Sequence, residues 1–213
     1  CSCQENHQKL VEEAPSPVIT PEIRKEMGDC AIRLFKGIGY VGAGTIEFLF
    51  VDGKFYFMEV NARIQVEHTV TELVSGYDLI REQISVCSGN KLSMTQDDIK
   101  IQGYACEVRI NAKTAGTITD YLPAGGYGVR VDSFLYNGYK VSPHYDSMLV
   151  KLLVSAKDRT EGLNRMNRAL DEFVLTGVKT NIEVQKKIIN SRIFRGGVYG
   201  TDVLKHIMAE GDK

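Results

Sequence analysis

The chain has 213 residues, of which 43% are hydrophobic and 25% charged, a composition typical of one large or two small globular domains. Its 26 basic and 27 acidic residues form no long runs and nearly balance, which argues against a nucleic-acid-binding surface or an acidic tail. No apolar run approaches the ~20 residues of a membrane-spanning helix, so we expect no membrane segment.

The five cysteines are odd in number and scattered, without a C-x-x-C pair: Cys1, Cys3, Cys30, Cys87 and Cys106. This pattern favours reduced, mostly buried thiols and a cytoplasmic location over a disulfide framework or a zinc site. The chain does not begin with Met, and we expect it to be a segment of a longer protein.

The first predicted helix begins with Thr20 as N-cap and Pro21 as first helical residue, and it ends at the glycines at positions 37 and 39. Two strand-like runs follow between residues 44 and 61. The Asp52-Gly53 pair between them predicts a β-hairpin. A second helix is predicted to begin at Asp78 and to end at Gly89.

Residues 91–100 are polar and weakly patterned, so we expect a boundary between two lobes there. Strand-like runs come after it at 102–111, 117–121, 128–133 and 148–156. Helical patterns close the chain near 160–174, 180–190 and 201–209. Strands followed by helices predict an α+β lobe.

Five polar residues share one parity along the second hairpin strand and beyond it, while apolar residues take the other: Glu59, Asn61, Arg63, Gln65 and Glu67. In an extended chain they would all lie on one side. An arginine in such a row suits a small anion, and a carboxylate beyond it suits a general base. A solvated strand face is the alternative interpretation of the same pattern.

Glu47 in the first hairpin strand could join this row, depending on the turn. A two-residue turn pairs Val51 with Lys54 and would place Glu47 and Glu59 on opposite faces, whereas a loop of odd length would place them on the same face. On one face, with Asn61 beside them, these oxygens would suit Mg²⁺ or Mn²⁺ completed by substrate phosphates.

These residues carry a family resemblance. The run FMEVNARIQVEHTVTE and the preceding GAGTIEFLF resemble the ATP-grasp signature of biotin carboxylases, and HQKLVEEAP, EVRINA, GGYGVRVDS and YDSMLVKL extend the resemblance over nearly the whole chain. It implies an α+β fold: residues 1–95 as the C-terminal part of an ATP-grasp domain, an antiparallel sheet with helices, and residues 96–213 as the biotin carboxylase C-terminal lobe.

The resemblance also implies roles for individual residues. The residues that match ligands of two Mg²⁺ or Mn²⁺ ions bridging ATP are Glu47, Glu59 and Asn61. Those for bicarbonate are Lys9, Arg63, Gln65 and the backbone of Val66, and those beside the nucleotide are Gln4 and His7. Glu67 matches the base that deprotonates bicarbonate for attack on ATP, and Arg109 matches the arginine that stabilises the biotin enolate after carboxyphosphate breaks down.

The implied partners are a biotin carboxyl carrier protein, a carboxyltransferase component and a second copy of the chain, contacted near Tyr127 and Arg130. The resemblance favours the biotin carboxylase subunit of acetyl-CoA carboxylase. A pyruvate or acyl-CoA carboxylase, another ATP-grasp ligase and a non-catalytic dimerisation or docking fragment stay open. The segment between Ala112 and Thr117 is shorter than the family pattern, through either a true deletion or a missing mobile loop.

Overall fold

The computed structural model describes residues 2–5 and 8–210. The chain divides into two compact units, one formed by Val18–Ile101 and the other by Cys1–Pro17 together with Gln102–Lys213. The first strands of the chain therefore belong with its second half. The boundary that we expect between sequence domains at residues 95 and 96 remains a prediction.

The helices and strands are numbered in chain order within the described residues. The strands are β1 (Ser2–Glu5), β2 (Gln8–Ala14), β3 (Thr45–Val51), β4 (Lys54–Asn61), β5 (Tyr104–Asn111), β6 (Gly116–Thr117), β7 (Tyr121–Leu122), β8 (Val129–Ser133), β9 (Lys140–Val141), β10 (Met148–Ala156) and β11 (Val174–Leu175). The α-helices are α1 (Pro21–Gly37), α2 (His68–Ser75), α3 (Leu79–Cys87), α4 (Arg159–Glu172), α5 (Ile182–Asn190), α6 (Arg192–Gly196) and α7 (Val203–Glu210), and Gln96–Asp98 form a 3₁₀ turn.

Local signals account for two helix starts and the hairpin turn of the unit Val18–Ile101. The Thr20 side chain accepts a hydrogen bond from the Ile23 amide at 3.3 Å, and Asp78 caps α3 by accepting from the Arg81 amide at 2.8 Å. These N-caps satisfy amides that the first helical turn cannot bond, and both predicted helix starts are confirmed. The hairpin β3–β4 turns at Asp52 and Gly53, both with positive φ (49° and 76°), as a two-residue type I′ turn requires.

The second unit is built on one antiparallel sheet with the order β1-β2-β5-β10-β8. Helices α4 and α5 pack against one face of it. Apolar side chains from this face and from the helices form the core, including Val108, Leu152, Met166, Ile188 and Phe194, all fully buried. Two short antiparallel pairs, β7–β11 and β6–β9, complete the unit. The predicted α+β architecture is confirmed.

The other face of the sheet carries charged side chains across its strands. Glu12 of β2 pairs with Glu107 of β5, Arg109 of β5 pairs with Lys151 of β10, and Lys151 pairs with Asp132 of β8. Directly opposed residues of an antiparallel pair point to the same face. The sheet thus separates an apolar core from a layer of acidic and basic side chains.

The cysteines follow the expected pattern in part. Cys3 and Cys106 are buried and free, and burial, reinforced by Glu12 and Glu5, raises the pKa of Cys3 to about 12. Cys30 is half-buried, but Cys87 at the end of α3 is exposed, so the expectation of burial is wrong for that residue. No helix within residues 2–5 and 8–210 is long and apolar enough to cross a membrane.

Candidate active site

Glu47 and Glu59 are directly opposed across the β3–β4 hairpin. The turn pairs Val51 with Lys54, the register that by itself would place the two glutamates on opposite faces. The ladder shifts by one residue between Glu47 and Phe48, because Met58 has no partner and forms a β-bulge. A two-residue turn is therefore present, and the opposite-face consequence expected from it is wrong.

Two carboxamides hold the glutamates. Asn61 Nδ2 donates to Glu59 Oε1 at 2.8 Å, and Gln65 Nε2 donates to Glu47 Oε1. Each bond offsets part of the repulsion between two carboxylates that share a face. Oxygen atoms of Glu47, Glu59 and Asn61 therefore lie in one neighbourhood at the end of the hairpin away from its turn.

This donor set fits a magnesium-type ion bound together with phosphate. Among the described residues, no group of three or more His, Cys, Asp or Glu side chains is placed to hold a metal ion. Two carboxylates and an amide oxygen are too few ligands for a cage made by the protein alone, but Mg²⁺ usually takes one or two carboxylates and completes its shell with water and substrate phosphates.

The polar row does not continue as an extended chain. Strand β4 ends at Asn61, the chain bends at Arg63, and Val66 and Glu67 lie in a turn that leads into α2. The expectation of a single row from Glu59 to Glu67 is therefore wrong beyond Asn61, because the chain bends after β4 and then turns into α2. The side chain of Gln65 nevertheless returns to Glu47.

Arg63 in this bend and Glu67 in the turn after it differ in exposure. Arg63 is exposed, and its Nη1 donates to the carbonyl of Ile64 at 3.1 Å. Glu67 occupies the N-cap position of α2, where its carbonyl accepts from the Val70 amide at 3.2 Å, and the residue is half-buried. An exposed guanidinium can meet an anion, and a carboxylate at a helix N-terminus is stabilised in its charged form.

His68 stabilises this turn. Its Nδ1 lies 2.8 Å from the Gln65 carbonyl, and its Nε2 lies 3.9 Å from Glu72, which accepts from the Leu79 amide at 2.9 Å. The imidazole therefore connects the Gln65 backbone to α2 and to the start of α3.

Three further predicted residues belong to the sheet unit. Gln4 of β1 and Lys9 of β2 are Cα partners in the antiparallel pair, and both residues are half-buried. His7, between these strands, lies outside the described residues. Arg109 is on β5, with its side chain 15% exposed.

Arg109 lies between two buried carboxylates, neither of which we predicted. Its Nη2 is 3.4 Å from Glu12 Oε1, and its Nε is 3.8 Å from Glu107 Oε1. Glu12 and Glu107 oppose each other on β2 and β5 and are 4% and 0% exposed. Two adjacent buried carboxylates need a cation, so they hold the guanidinium at this place on the sheet. The alternation of charged and apolar residues in the run EVRIN is the sequence pattern that could have predicted this charged face of the sheet.

The residues predicted to meet a second copy lie near β8. Tyr127 is 89% exposed, and the Arg165 guanidinium packs over its ring at 5.2 Å. Arg130 donates from Nε and Nη2 to the Asp132 carboxylate at 2.8 and 2.9 Å. The short segment after Ala112 folds back on the chain, since the Lys113 amide donates to the Lys179 carbonyl at 2.7 Å.

Two family models match the chain. The model described as the carbamoyl-phosphate synthase L chain, ATP binding domain, matches residues 1–95, and that of the biotin carboxylase C-terminal domain matches residues 107–206.

Curated relatives and solved structures agree with these matches. Biotin carboxylase 1 of Bacillus subtilis is 48% identical over 215 residues, which cover 96% of this chain and 48% of that protein. A pyruvate carboxylase subunit of Methanothermobacter thermautotrophicus is 52% identical, covering 92% of this chain and 42% of the relative. The biotin carboxylase domain dimer of Hydrogenobacter thermophilus 2-oxoglutarate carboxylase, in complex with MgADP, ADP and bicarbonate, is 41% identical with a TM-score of 0.94, covering 97% of this chain and 48% of that one.

The chain thus spans about half the length of the curated relatives that it matches. The similarity extends through the ATP-grasp part and the C-terminal domain, and the arrangement of helices and antiparallel sheets agrees with it. The chain belongs to the biotin carboxylase family of ATP-grasp ligases, and it matches the C-terminal half of these proteins.

Proposed function

We propose that the protein containing this chain uses ATP and bicarbonate to carboxylate biotin on a carrier protein. The observation that carries the proposal is the opposed pair Glu47 and Glu59 with Asn61 beside it, in a chain of the biotin carboxylase family. A divalent ion bound there, Mg²⁺ or Mn²⁺, would neutralise the ATP phosphates and orient the terminal one.

The residues beyond the strand would handle bicarbonate. In this proposal Arg63, Lys9 and the amide groups of Gln65 and Val66 bind the anion, and the Glu67 carboxylate accepts its proton. The bicarbonate oxygen can then attack the terminal phosphorus of ATP to form carboxyphosphate and ADP. The exposed guanidinium of Arg63 and the position of Glu67 at the start of α2 support these roles.

Arg109 would act on biotin. Carboxyphosphate breaks down to CO₂ and phosphate, phosphate removes the proton from the biotin N1 nitrogen, and the negative charge that develops on the ureido oxygen needs a fixed cation. The two carboxylates on either side of Arg109 restrict its guanidinium, which supports a role as such a cation. Gln4 and His7 would lie beside the nucleotide.

We also propose that residues 1–213 alone are inactive. Their relatives are about twice as long, and the unit Val18–Ile101 exposes large apolar side chains. None of the described residues of α1 or α3 is fully buried, and Ile38, Ile84 and Met58 are 65%, 62% and 58% exposed. Such a surface is unusual for an independent domain and is consistent with a covering segment elsewhere in the protein.

The proposed partners of the protein are those that the family resemblance implies. We propose a homodimer through the surface at Tyr127 and Arg130, a biotin carboxyl carrier protein as bearer of the substrate, and a carboxyltransferase as the next enzyme. Within this scheme we favour acetyl-CoA carboxylase as the parent. The relative named for pyruvate carboxylase makes pyruvate the alternative acceptor. Co-purification of the carboxyltransferase followed by assays with acetyl-CoA and pyruvate would separate the two.

The test is ATP hydrolysis by the full-length protein. Hydrolysis should require bicarbonate and should rise on addition of free biotin, whereas Glu67→Gln should lower kcat by about 100-fold or more because proton abstraction is lost. ATP hydrolysis that responds to bicarbonate but not to biotin would support another ATP-grasp ligase instead. Normal turnover by residues 1–213 alone would contradict the proposal that the segment is incomplete.

A further inference from the structure

Strands β2 and β5 separate at the point where they carry two residues of the proposed site. Their ladder ends at Val11 and Val108, so the next residues, Leu10 and Arg109, lie outside it. Lys9 precedes Leu10 on β2. The main-chain carbonyls of such residues must find donors elsewhere when they are buried, and Leu10 is only 2% exposed.

One side chain supplies both donors. Gln185 of α5 is fully buried, and its Nε2 donates to the Arg109 carbonyl at 2.8 Å and to the Leu10 carbonyl at 3.1 Å. The carboxamide therefore takes the place of the next rung between β2 and β5. It bridges the two strands across the gap that opens between them.

A second buried amide reinforces the β5 side. Asn181, which precedes α5 and is 2% exposed, donates from Nδ2 to the Arg109 carbonyl at 2.9 Å and accepts from the Asn111 amide at 2.8 Å. The backbone of Arg109 is thus held by two amides from the α5 side, while its guanidinium is held by Glu12 and Glu107.

We propose that Gln185 is a positioning residue that sets the separation of β2 and β5 at the level of Lys9 and Arg109. The inference rests on the proposed function, in which Lys9 meets bicarbonate and Arg109 meets biotin. A buried carboxamide among apolar neighbours is costly unless its hydrogen bonds are needed. Here the hydrogen bonds of Gln185 join β2 and β5. The spacing of these strands sets the distance between Lys9 and Arg109.

The experiment compares variants of the full-length protein. Gln185→Met keeps the length of the side chain and removes both donors. Ile189→Val is the matched control, because it is fully buried on the same helix and loses one methylene without removing a hydrogen bond. Steady-state kinetics are measured for biotin, bicarbonate and MgATP. Hydrogen exchange is followed for the peptides that cover residues 8–11 and 108–112.

Gln185→Met should lower kcat/KM for biotin and for bicarbonate by about 10- to 100-fold, the size of effect that a misplacement near 1 Å produces. KM for MgATP should change less than these constants, because the proposed metal ligands Glu47 and Glu59 lie on β3 and β4 and not on β2 or β5. Exchange should accelerate in both peptides. Ile189→Val should lower the melting temperature and leave these kinetic constants unchanged.

A second variant covers the case in which Gln185→Met fails to fold. Gln185→Asn keeps a carboxamide but is one methylene shorter, so it can reach one carbonyl at most and should give a smaller loss in the same constants. If either folded variant matches Ile189→Val in kinetics and in exchange, the positioning role is wrong. If the wild-type protein shows no biotin-dependent ATP hydrolysis, the proposed function fails, and the exchange data alone decide whether Gln185 holds the strands together.

Discussion

Glu47 and Glu59 face each other because one extra residue, Met58, shifts the register of the hairpin. Without the bulge, the two-residue turn at Asp52 and Gly53 would pair Glu47 with Met58 and send Glu59 to the other face. The bulge therefore joins two features that would otherwise conflict: a tight turn, which stabilises the hairpin, and a pair of carboxylates on one face.

The opposed pair predicts a specific response to metal. Glu47→Gln or Glu59→Gln removes a like-charge pair, which is worth a few tenths to about 1 kcal/mol between directly opposed strand residues. Each variant should be at least as stable as the wild type without metal. Each should also lose the stabilisation that Mn²⁺ with ADP gives the wild-type full-length protein. Thermal unfolding with and without Mn²⁺ and ADP measures both effects.

Glu82→Gln is the control for this prediction. Glu82 is a carboxylate of the same unit that accepts from the Ser93 side chain at 2.6 Å, far along the chain from the hairpin. Its replacement should leave the response to Mn²⁺ and ADP intact. An equal response in Glu47→Gln and wild type would contradict a metal site at the hairpin.

Deletion of Met58 provides an independent test of the register. With Met58 removed and the turn intact, Glu59 would follow Phe57 directly, and a regular ladder would again oppose it to Glu47. We expect this variant to keep its stabilisation by Mn²⁺ and ADP. Insertion of one alanine after Phe57 would instead oppose Glu47 to Met58 across a bulge of the same size, and it should abolish the stabilisation. Loss of the response on deletion of Met58 would show that the bend of the bulge matters more than the pairing.

Local signals were sufficient for the helix starts and for the turn. Thr20 and Asp78 act on amides three residues away, and the Asp52-Gly53 pair adopts positive φ within the turn itself. The bulge at Met58 has no such local signal. The turn after Asn61 was missed for a related reason, since the period-two pattern of polar residues continues into a segment that is not a strand.

Strands β1 and β2 were also missed, because what holds their polar residues lies far along the chain. Glu12 meets Arg109, 97 residues away, and Glu13 meets Arg159, 146 residues away. A run of two glutamates predicts solvated surface when these partners are not known. The role of Gln185 was not predicted for the same reason, since its carbonyl partners belong to strands more than 70 residues before it.

Breaking the buried Glu13 network should strongly destabilise the sheet unit. The fully buried carboxylate accepts from the hydroxyls of Tyr104 and Tyr199 at 2.7 Å and from Arg159 Nε at 2.7 Å, and Arg159 also donates to the Phe194 carbonyl at 2.7 Å. Breaking such a pair leaves an uncompensated buried charge, so Arg159→Met should cost about 3–5 kcal/mol in the free energy of unfolding.

A double variant separates the ion pair from simple loss of packing. Glu13→Leu with Arg159→Met should be less destabilised than the sum of the two single variants, because neither charge is then left alone. Urea unfolding of the four proteins gives the coupling free energy. Strict additivity would show that Glu13 and Arg159 do not act as a pair.

The last prediction concerns pH and Asp132. Its carboxylate is partly buried, which alone would raise its pKa, but the hydrogen bonds and charges of Arg130 and Lys151 outweigh burial and lower the pKa below the ordinary 3.8. A pKa lowered by folding gives stability that is present above the unfolded value and is lost as the pH falls through the folded value.

The free-energy difference between the wild type and Asp132→Asn should therefore be constant near neutral pH and should shrink below about pH 4. Because the side chain is 32% exposed, we expect the difference to stay below about 1 kcal/mol. Urea unfolding at a series of pH values measures it, with Asp97→Asn, an exposed residue of the 3₁₀ turn, as the control. A difference that grows as the pH falls would mean that Arg130 and Lys151 do not stabilise the charged carboxylate.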